Sequence, residues 1–408
     1  MKLLNIAWRN VFRHTRRTII TAAAISVGLS SMIFMNTMMN GADKMASRNI
    51  IDFETSHLEI FAKGYYREEG VFPLDTIIEN PMFLAAKIEG MPGIKGITRR
   101  VKFQSSISNG IDELPVLGMG VDIDNDHRIF EIANSVVAGR YLVNSGDVLI
   151  GKDLATDMDL EVGSYLTIIT KDRHGTYNAY DLTVSGIINT GHPLFDRNMA
   201  IIPIVQAQEL LALQDGVTEL CIRANDENNL APLKERISQA IGDKHEVLTW
   251  KEMNAAIFEI SGFKRAGQFM IGLVVVVIAA VGIINTMLMA VMERIPEIGT
   301  LKAMGFKNSG IVRMFIYEGG IIGAFGSALG CLIGLLISVY LVHVGLDFSK
   351  FFEDMDIVYP MKFIIKGEID YMNLLYVFLF GVLVSVIVTL WPIRRATKLE
   401  PVDALRHV

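Results

Sequence analysis

The residues whose spacing most nearly fits a catalytic motif lie between Gly146 and Asp153. The run Gly-Asp-Val-Leu-Ile-Gly-Lys-Asp approaches the phosphate-binding loop G-x-x-x-x-G-K-[ST]. In that loop the final Ser or Thr places its hydroxyl on magnesium beside the nucleotide phosphates. Asp153 occupies this position, and its negative charge would repel a phosphate. We therefore predict a strand and a turn here instead of a nucleotide site.

Other patterns resemble metal sites but lack essential ligands. Asp122, Asp124 and Asp126 repeat the opening of a calcium-binding loop. His127 stands where that loop needs glycine, and Ala133 stands where it needs a bidentate glutamate. An acidic loop that caps a helix is predicted instead. The eight histidines include no H-x-x-x-H spacing, and two cysteines cannot build a cysteine-rich zinc site. No metal site and no catalytic residue is predicted.

The composition narrows the class of protein. Of the 408 residues, 51% are hydrophobic and 20% are charged, whereas soluble domains carry about 25% charged residues. The formal net charge of −6 disfavours a nucleic-acid partner, since proteins that bind nucleic acid present basic surfaces. An apolar content of this size is either spread evenly or concentrated in a few long blocks, and only long blocks would favour membrane lipid as the environment.

The apolar residues are concentrated in four blocks, each near the roughly 20 residues that a membrane-spanning helix requires. The blocks are Thr18–Met39, Phe269–Met292, Gly319–Val344 and Leu374–Ile393. The first block could instead be a cleaved signal peptide, because a basic segment precedes it. It is longer than a usual signal core of about 7–15 residues, and no A-x-A cleavage site follows. We therefore predict four transmembrane helices.

Basic residues set the predicted orientation. Residues 1–17 contain five Lys or Arg and no acid, and residues 293–313 and 394–408 each contain four Lys or Arg against two acids. Because cytoplasmic loops are enriched in Lys and Arg, both termini are predicted to be cytoplasmic. The predicted segments are a basic amphipathic helix at 1–17, spans at 18–40, 267–292, 314–344 and 372–393, an outer domain at 41–266, and connections at 293–313, 345–371 and 394–408.

The long segment between the first two spans is predicted to be an α/β domain, since apolar runs alternate there with Gly, Asn and Asp turns. The predicted strands are Leu58–Phe61, Val148–Ile150, Leu166–Thr170, Leu182–Ile188 and Met199–Ile202, and the predicted helices are Pro203–Leu213 and Ala231–Ile241. Cys221 lies in this domain and Cys331 in a span, so the two thiols are not expected to pair.

The connection after the second span is the most specific stretch of the chain. Pro296 suits the first turn of a helix, where its missing N–H costs nothing. Gly305 can end that helix. Ile298, Leu301 and Met304 recur at three-residue spacing and predict one apolar edge. Such a helix, tied to two spans, could dock in a groove of a soluble partner; an ordinary structured loop is the alternative.

Three stretches carry a resemblance to a known family. Glu293–Gly305 resembles the "ER-x-x-EIG-x-L-(K/R)-A-(M/L/I)-G" signature of FtsX-like permeases, which include MacB-type exporters and LolC/LolE-type lipoprotein-releasing permeases. The tail Trp391–Arg406 resembles the closing "P-x-x-x-A-x-x-x-x-P-x-x-A-L-R" of that family. The outer segment resembles its MacB-like periplasmic core domain, and Ile50–Gly64 is most similar to the LolE-like branch.

The resemblance implies the permease subunit of an ABC transporter in the bacterial inner membrane, a multi-pass protein with a periplasmic domain. It implies a P-loop ABC ATPase partner that binds ATP and Mg, with no cofactor in this chain, and a second copy or a paralogous permease. The residues it assigns to the ATPase contact are Glu293, Arg294, Glu297, Gly299, Leu301, Lys302, Met304 and Gly305. Pro296 departs from the family, which often has a basic residue there.

Within the spans, small and flexible residues suggest further roles. Small residues at four-residue spacing allow helices to approach closely in lipid, and flexible methionines suit a surface that accepts varied acyl chains. The helix-packing candidates are Gly319, Gly323, Gly326, Gly330 and Gly334, and the substrate-cavity candidates are Met32, Met35, Met39 and Asn285. Static packing and lipid contact are the alternatives. Glu318 is predicted to snorkel to the membrane interface, and a part in the ATPase contact is the alternative.

The leading hypothesis from the resemblance is a permease that extracts a lipoprotein substrate from the inner membrane towards the outer membrane. The alternatives are a MacB-type exporter of peptides or antibiotics and a regulator of a cell-wall hydrolase. LolC-type subunits capture a periplasmic carrier with a Pro-containing hook. The corresponding connection, Lys171–Asp181, is short and lacks Pro. Carrier capture would then fall to a partner subunit.

Overall fold

The computed structural model describes residues 2–13, 15–67, 72–191, 193–227, 229–347 and 364–396. The chain divides into a helical unit, Met1–Met45 with Glu259–Val408, and an α/β unit, Ala46–Phe258. The predicted tail 394–408 and connection 345–371 lie largely outside the described residues.

The helices occur throughout the chain. In order they are α1 (Lys2–Arg13), α2 (Thr15–Asn49), α3 (Pro81–Ile88), α4 (Ile123–Asp126), α5 (Lys152–Asp157), α6 (Pro193–Asn198), α7 (Ile204–Leu210), α8 (Ala231–Ile241), α9 (Trp250–Met253), α10 (Ala255–Glu293), α11 (Ile295–Ala303), α12 (Asn308–His343) and α13 (Tyr371–Ala396). A π-helical turn, Ile50–Thr55, follows α2 directly.

Four helices are long and apolar enough to cross a membrane, within the ranges Thr15–Thr55, Phe269–Glu293, Asn308–His343 and Tyr371–Arg394. The prediction of four such helices with a large α/β domain between the first two is confirmed. The helices extend beyond the predicted spans: α2 continues past residue 40, and α10 begins before residue 267. Hydropathy marks the apolar window, whereas helical hydrogen bonding continues through the polar turns on either side.

The α/β unit is built on one mixed sheet of ten strands. The strands are β1 (Leu58–Ala62), β2 (Ile94–Ser108), β3 (Glu113–Val121), β4 (Val136–Gly139), β5 (Asp147–Gly151), β6 (Tyr165–Lys171), β7 (Tyr177–Ile188), β8 (Met199–Pro203), β9 (Glu219–Ala224) and β10 (His245–Thr249). Their order is β10-β1-β9-β2-β3-β8-β5-β7-β4, with β6 paired to both β2 and β7. The pairs β3–β8 and β5–β7 are parallel. In the helical unit, Leu346–Asp347 (β11) pairs with Ile364–Ile365 (β12).

The sheet buries both of its faces. Leu58, Ile60, Val101 and Phe103 belong to the larger apolar cluster. Met119 belongs to a smaller cluster, which also contains Phe130, Phe195, Met199 and Cys221. The five predicted strands are all present, as are the two predicted helices. The helix predicted at Pro203–Leu213 is shorter, because Ala212 and Gln214 adopt positive φ angles of 55° and 54°.

The stretches that resemble a phosphate-binding loop and a calcium-binding loop form ordinary secondary structure. Gly146–Asp153 forms β5 and the start of α5, so the predicted strand is confirmed. The predicted helix-capping acidic loop is present: Asp122 is the N-cap residue of α4, and Asp124 and Asp126 lie in its first turn. The Asp122 side chain itself makes no capping hydrogen bond. The Asp122 carboxylate accepts from Arg99 at 2.7 Å, and Asp126 is buried against Arg100. Much of the predicted Lys171–Asp181 connection is strand, because Lys171 ends β6 and residues 177–181 begin β7. Residues 172–176 form a tight hairpin turn, in which the Asp172 amide donates to the Thr176 carbonyl.

Candidate functional site

Residue type defines both ends of α11. Pro296 lies in its first turn. Gly305 has φ +87°, a conformation that glycine adopts without strain. The Phe306 amide donates to the Leu301 carbonyl at 3.0 Å, and the Gly305 amide donates to the Lys302 carbonyl at 2.9 Å. These two bonds form the Schellman helix end, so the predicted proline start and glycine end are confirmed.

The inner side of α11 is apolar. Ile295, Ile298 and Gly299 are buried. Ile298 belongs to an apolar cluster with Val291, Ile311, Met314, Phe315 and Ile393, and Leu301 packs partly against this cluster. Met304 was predicted to share this apolar edge, but it is 67% exposed because the helix has already ended.

The outer side of α11 presents a mixed polar and apolar surface. We call this surface the exposed face of α11. It consists of Glu293 at the end of α10, Glu297 and Thr300 on α11, and Met304 and Phe306 just after α11. Three of the residues predicted to contact the ATPase lie on it. The positions of Arg294, Gly299 and Leu301 instead face the interior of the helical unit, and Lys302 is half-buried. Thr300 and Phe306 were not predicted, although Phe306 follows the helix-ending glycine directly.

Glu318 joins three helices through ion pairs. Its side chain is fully buried, and its two carboxylate oxygens each accept from an arginine at 3.2 Å: Arg17 of α2 and Arg294, which precedes α11. Arg294 also donates to Glu297 at 2.9 Å. The prediction that Glu318 snorkels to the interface is wrong, because its two guanidinium partners balance its charge inside the protein.

The first helix packs on α12. Ala7 and Val11 are buried, while Trp8 and Phe12 are about half-exposed. The Trp8 ring lies 5.8 Å from the ring of Phe325. The predicted amphipathic helix at the amino terminus is present, and part of its apolar side contacts protein.

The helices α2 and α12 run parallel in a fixed register. Five contacts join residues 301 apart, as in the 2.8 Å hydrogen bond between the Thr37 and Ser338 hydroxyls. The contacts in order are Arg17 with Glu318, Ile25 with Gly326, Leu29 with Gly330, Ile33 with Gly334 and Thr37 with Ser338. A Cβ atom on Gly326 would lie 2.9 Å from Cβ of Ile25. Only glycine therefore permits this approach of the two backbones.

The five predicted helix-packing glycines form a stripe along α12, and the other two, Gly319 and Gly323, face α13. A Cβ on Gly323 would lie 2.6 Å from Cβ of Ser385, and one on Gly319 would clash with Thr389. The stripe therefore divides between two neighbours, with three glycines against α2 and two against α13.

A cavity of about 270 Å³ lies between α2 and the start of the second span. Met32 and Met35 line it, together with Phe34, Phe269 and Gly272. Met39 and Asn285, also predicted to line a substrate cavity, are not among its lining residues. Asn285 is exposed on α10. It lies on one of several turns of that helix that carry exposed side chains.

Two family descriptions match the chain. Residues 18–240 match the MacB-like periplasmic core domain, and residues 269–401 match the FtsX-like permease C-terminal domain.

Individual relatives match over almost the whole chain. A lipoprotein-releasing system transmembrane protein LolC of Neisseria meningitidis is 25% identical, over 96% of this chain and 94% of its own length. A LolE protein of Haemophilus influenzae is 23% identical, over 94% and 93%. A macrolide export ATP-binding/permease protein MacB of Yersinia pestis is 23% identical over 96% of this chain, but over 56% of its own length.

Proposed function

Because the chain belongs to the FtsX-like permeases that carry a MacB-like periplasmic core domain, we propose that it is the transmembrane subunit of an ABC transporter that extracts lipoproteins from the bacterial inner membrane. The observation that carries this proposal is the end-to-end similarity to lipoprotein-releasing transmembrane proteins. A separate P-loop ATPase binds ATP and Mg and drives the cycle. The second transmembrane subunit is another copy or a paralogous permease.

The exposed face of α11 is the proposed contact with the ATPase. Glu293 and Glu297 supply negative charge there, and Met304 and Phe306 supply apolar anchors of the kind that fill a partner's groove. Movement of α11 would pass to α2 and α12 through Arg294, Glu318 and Arg17, since one carboxylate holds both arginines.

The cavity beside Met32 and Met35 is the proposed position for the acyl chains of the substrate. Its lining is mostly apolar, and methionine adapts to chains of different shape. Closure of α2 against α10 would expel the chains from this cavity. The carrier that accepts the lipoprotein would dock on the partner subunit, because the hairpin at Asp172 is too short to form a hook.

Depletion of this protein in the bacterium that encodes it tests the proposal. We expect lipoproteins destined for the outer membrane to accumulate in the inner membrane fraction. Normal lipoprotein sorting together with altered tolerance to macrolides or peptides would contradict the proposal and support the MacB-type exporter, the second candidate, to which one relative points.

A further inference from the structure

The α/β unit buries a row of charged side chains on one face of its sheet. Glu59 on β1 pairs with Cys221 on β9, and Glu219 on β9 pairs with Arg100 on β2. Lys102 is two residues from Arg100 and therefore lies on the same face. Glu59 and Glu219 are each 1% exposed. Buried charges at this density require compensation.

The charges of this row do not balance. Arg100 is neutralised by Asp126, through Nε–Oδ1 and Nη2–Oδ2 contacts of 2.8 and 3.0 Å. The Lys102 ammonium therefore forms ion pairs with two carboxylates: its Nζ lies 3.0 Å from Glu219 and 3.7 Å from Glu59. When both carboxylates are ionised, one negative charge is left over. Burial, followed by repulsion from Glu219, raises the pKa of Glu59 to about 8.

A cavity of about 320 Å³ opens above these carboxylates, at the lower end of the volumes of ligand sites, which span about 300–1,000 Å³. Glu59, Lys102 and Glu219 form part of its lining. Aromatic and apolar walls rise around them, including Phe61, Tyr65, Tyr66, Phe72, Phe195 and Met199. The rings of Phe61 and Tyr65 stack with centroids 5.2 Å apart.

The Tyr65 hydroxyl is a further polar group of this cavity. Tyr65 lines the cavity and is 5% exposed, yet its hydroxyl makes no hydrogen bond of proper geometry with the residues that the structure describes. The neighbouring Thr218 hydroxyl already accepts from the Lys102 amide and donates to the Arg100 carbonyl. A buried hydroxyl without a partner loses the hydrogen bonds that it makes to water in the unfolded chain, and a bound polar group would restore one.

We propose that this cavity binds a small organic cation, an ammonium or guanidinium group on an apolar body, with Glu219 as one counter-charge and Glu59, which gives its proton to solvent when the cation binds, as the second. Lys102 shows that the same carboxylates already accept an ammonium. The aromatic walls suit a cation, since ring faces attract positive charge, and the Tyr65 hydroxyl supplies a further oxygen acceptor. This ligand site is separate from the transport role proposed above.

A metal ion fits the cavity less well. Glu59, Glu219 and Cys221 place ligand atoms within 4.8 Å of one another. A metal would have to displace the Lys102 ammonium from Glu219 and bind Cys221 as a thiolate. Burial, and then the charge of Glu59, raises the pKa of the Cys221 thiol. The thiol therefore stays protonated.

Calorimetric titration of the full-length chain in nanodiscs tests this site, with 2-phenylethylammonium as the probe. We expect saturable binding that weakens about 10- to 100-fold in Glu59→Gln, the loss typical of a hydrogen bond to a charged group. Tyr65→Phe should weaken it about 3- to 10-fold and keeps the test valid if Glu59→Gln fails to fold. The exposed Glu161→Gln is the matched control and should leave binding unchanged.

Three results would overturn the proposal. Binding of neutral 2-phenylethanol with equal affinity would show that the cavity selects apolar bodies alone. Binding of Zn²⁺ with no binding of the amine would assign the carboxylates and thiol to a metal. Absence of any binding, in chains whose thermal unfolding is normal, would show that the cavity holds water and no organic cation.

Discussion

A single carboxylate, that of Glu318, links the proposed ATPase contact to the membrane helices. It accepts from Arg17 and Arg294 at 3.2 Å each, and all three side chains are at least 87% buried. Loss of one partner from such a buried group leaves the remaining charges without compensation, and this costs more than the loss of an exposed ion pair. The stability of the helical unit and the proposed transmission of movement therefore depend on the same residue.

Glu318→Gln should lower the free energy of unfolding by about 3–5 kcal/mol, because it leaves two guanidinium groups with a neutral partner. Unfolding of the purified chain in mixed micelles measures the change. Glu297→Gln is the control. It removes a partner of the same Arg294 but is 53% exposed, and should cost no more than about 1 kcal/mol. Equal effects of the two variants would contradict the proposed role of Glu318.

Glu59 should make the stability of the α/β unit depend on pH. Burial and the charge of Glu219 raise its pKa from 4.5 to about 8. Between these values the unfolded chain loses the proton while the folded chain keeps it. The stability present at low pH is therefore lost as the pH rises towards 8. Glu59→Gln removes this dependence.

Thermal unfolding of the chain at pH 5 and at pH 8.5 measures this effect. Glu59→Gln should raise the midpoint relative to the parent more at pH 8.5 than at pH 5. An equal shift at both pH values, or a larger one at pH 5, would show that Glu59 ionises normally in the folded chain.

At the scale of elements, the fixed register of α2 on α12 depends on glycines that no larger residue can replace. Gly326, Gly330 and Gly334, four residues apart, each contact α2. A Cβ atom at any of these positions would lie too close to a residue of α2. Close backbone approach of this kind is a main source of helix association in lipid.

Gly330→Leu should separate α2 from α12 and destabilise the helical unit by about 1–3 kcal/mol, the usual cost of overpacking. Its Cβ would lie 3.0 Å from Cβ of Leu29. Gly320→Ala lies on the same helix, and its Cβ would meet only Val386 at 3.6 Å, so it should be tolerated. Cysteine crosslinking between positions 37 and 338 measures the register. Retention of the crosslink in Gly330→Leu would contradict this account.

Local signals predicted many elements, whereas long-range partners could not be predicted. Pro296 and Gly305 defined α11, because proline and glycine act on their own backbone. The burial of Glu318 depends on Arg17, which is 301 residues away. The charged face of β1, β2 and β9 shows the same limit. Glu59 and Lys102 alternate with apolar residues, a pattern typical of an exposed face, but Phe195 and Met199 help to cover that face.

At the scale of the whole molecule, the proposed function requires that an ATPase dock on the exposed face of α11. Met304→Asp combined with Glu297→Lys should abolish co-purification of the ATPase, because both side chains point outwards and contribute little to packing. Leu301→Asp is a less specific test, since Leu301 packs inside the helical unit. Met82→Asp, at a similarly exposed methionine of α3, is the control. Unchanged association in the double variant would remove the coupling role.

The most direct test of the account is release of a triacylated lipoprotein from proteoliposomes that contain this chain, its ATPase and any permease that co-purifies with it. We predict release that requires ATP and is lost in the Met304→Asp, Glu297→Lys variant. Lipoprotein that stays in the vesicles with ATP present, while a macrolide or peptide is transported, would contradict the central claim.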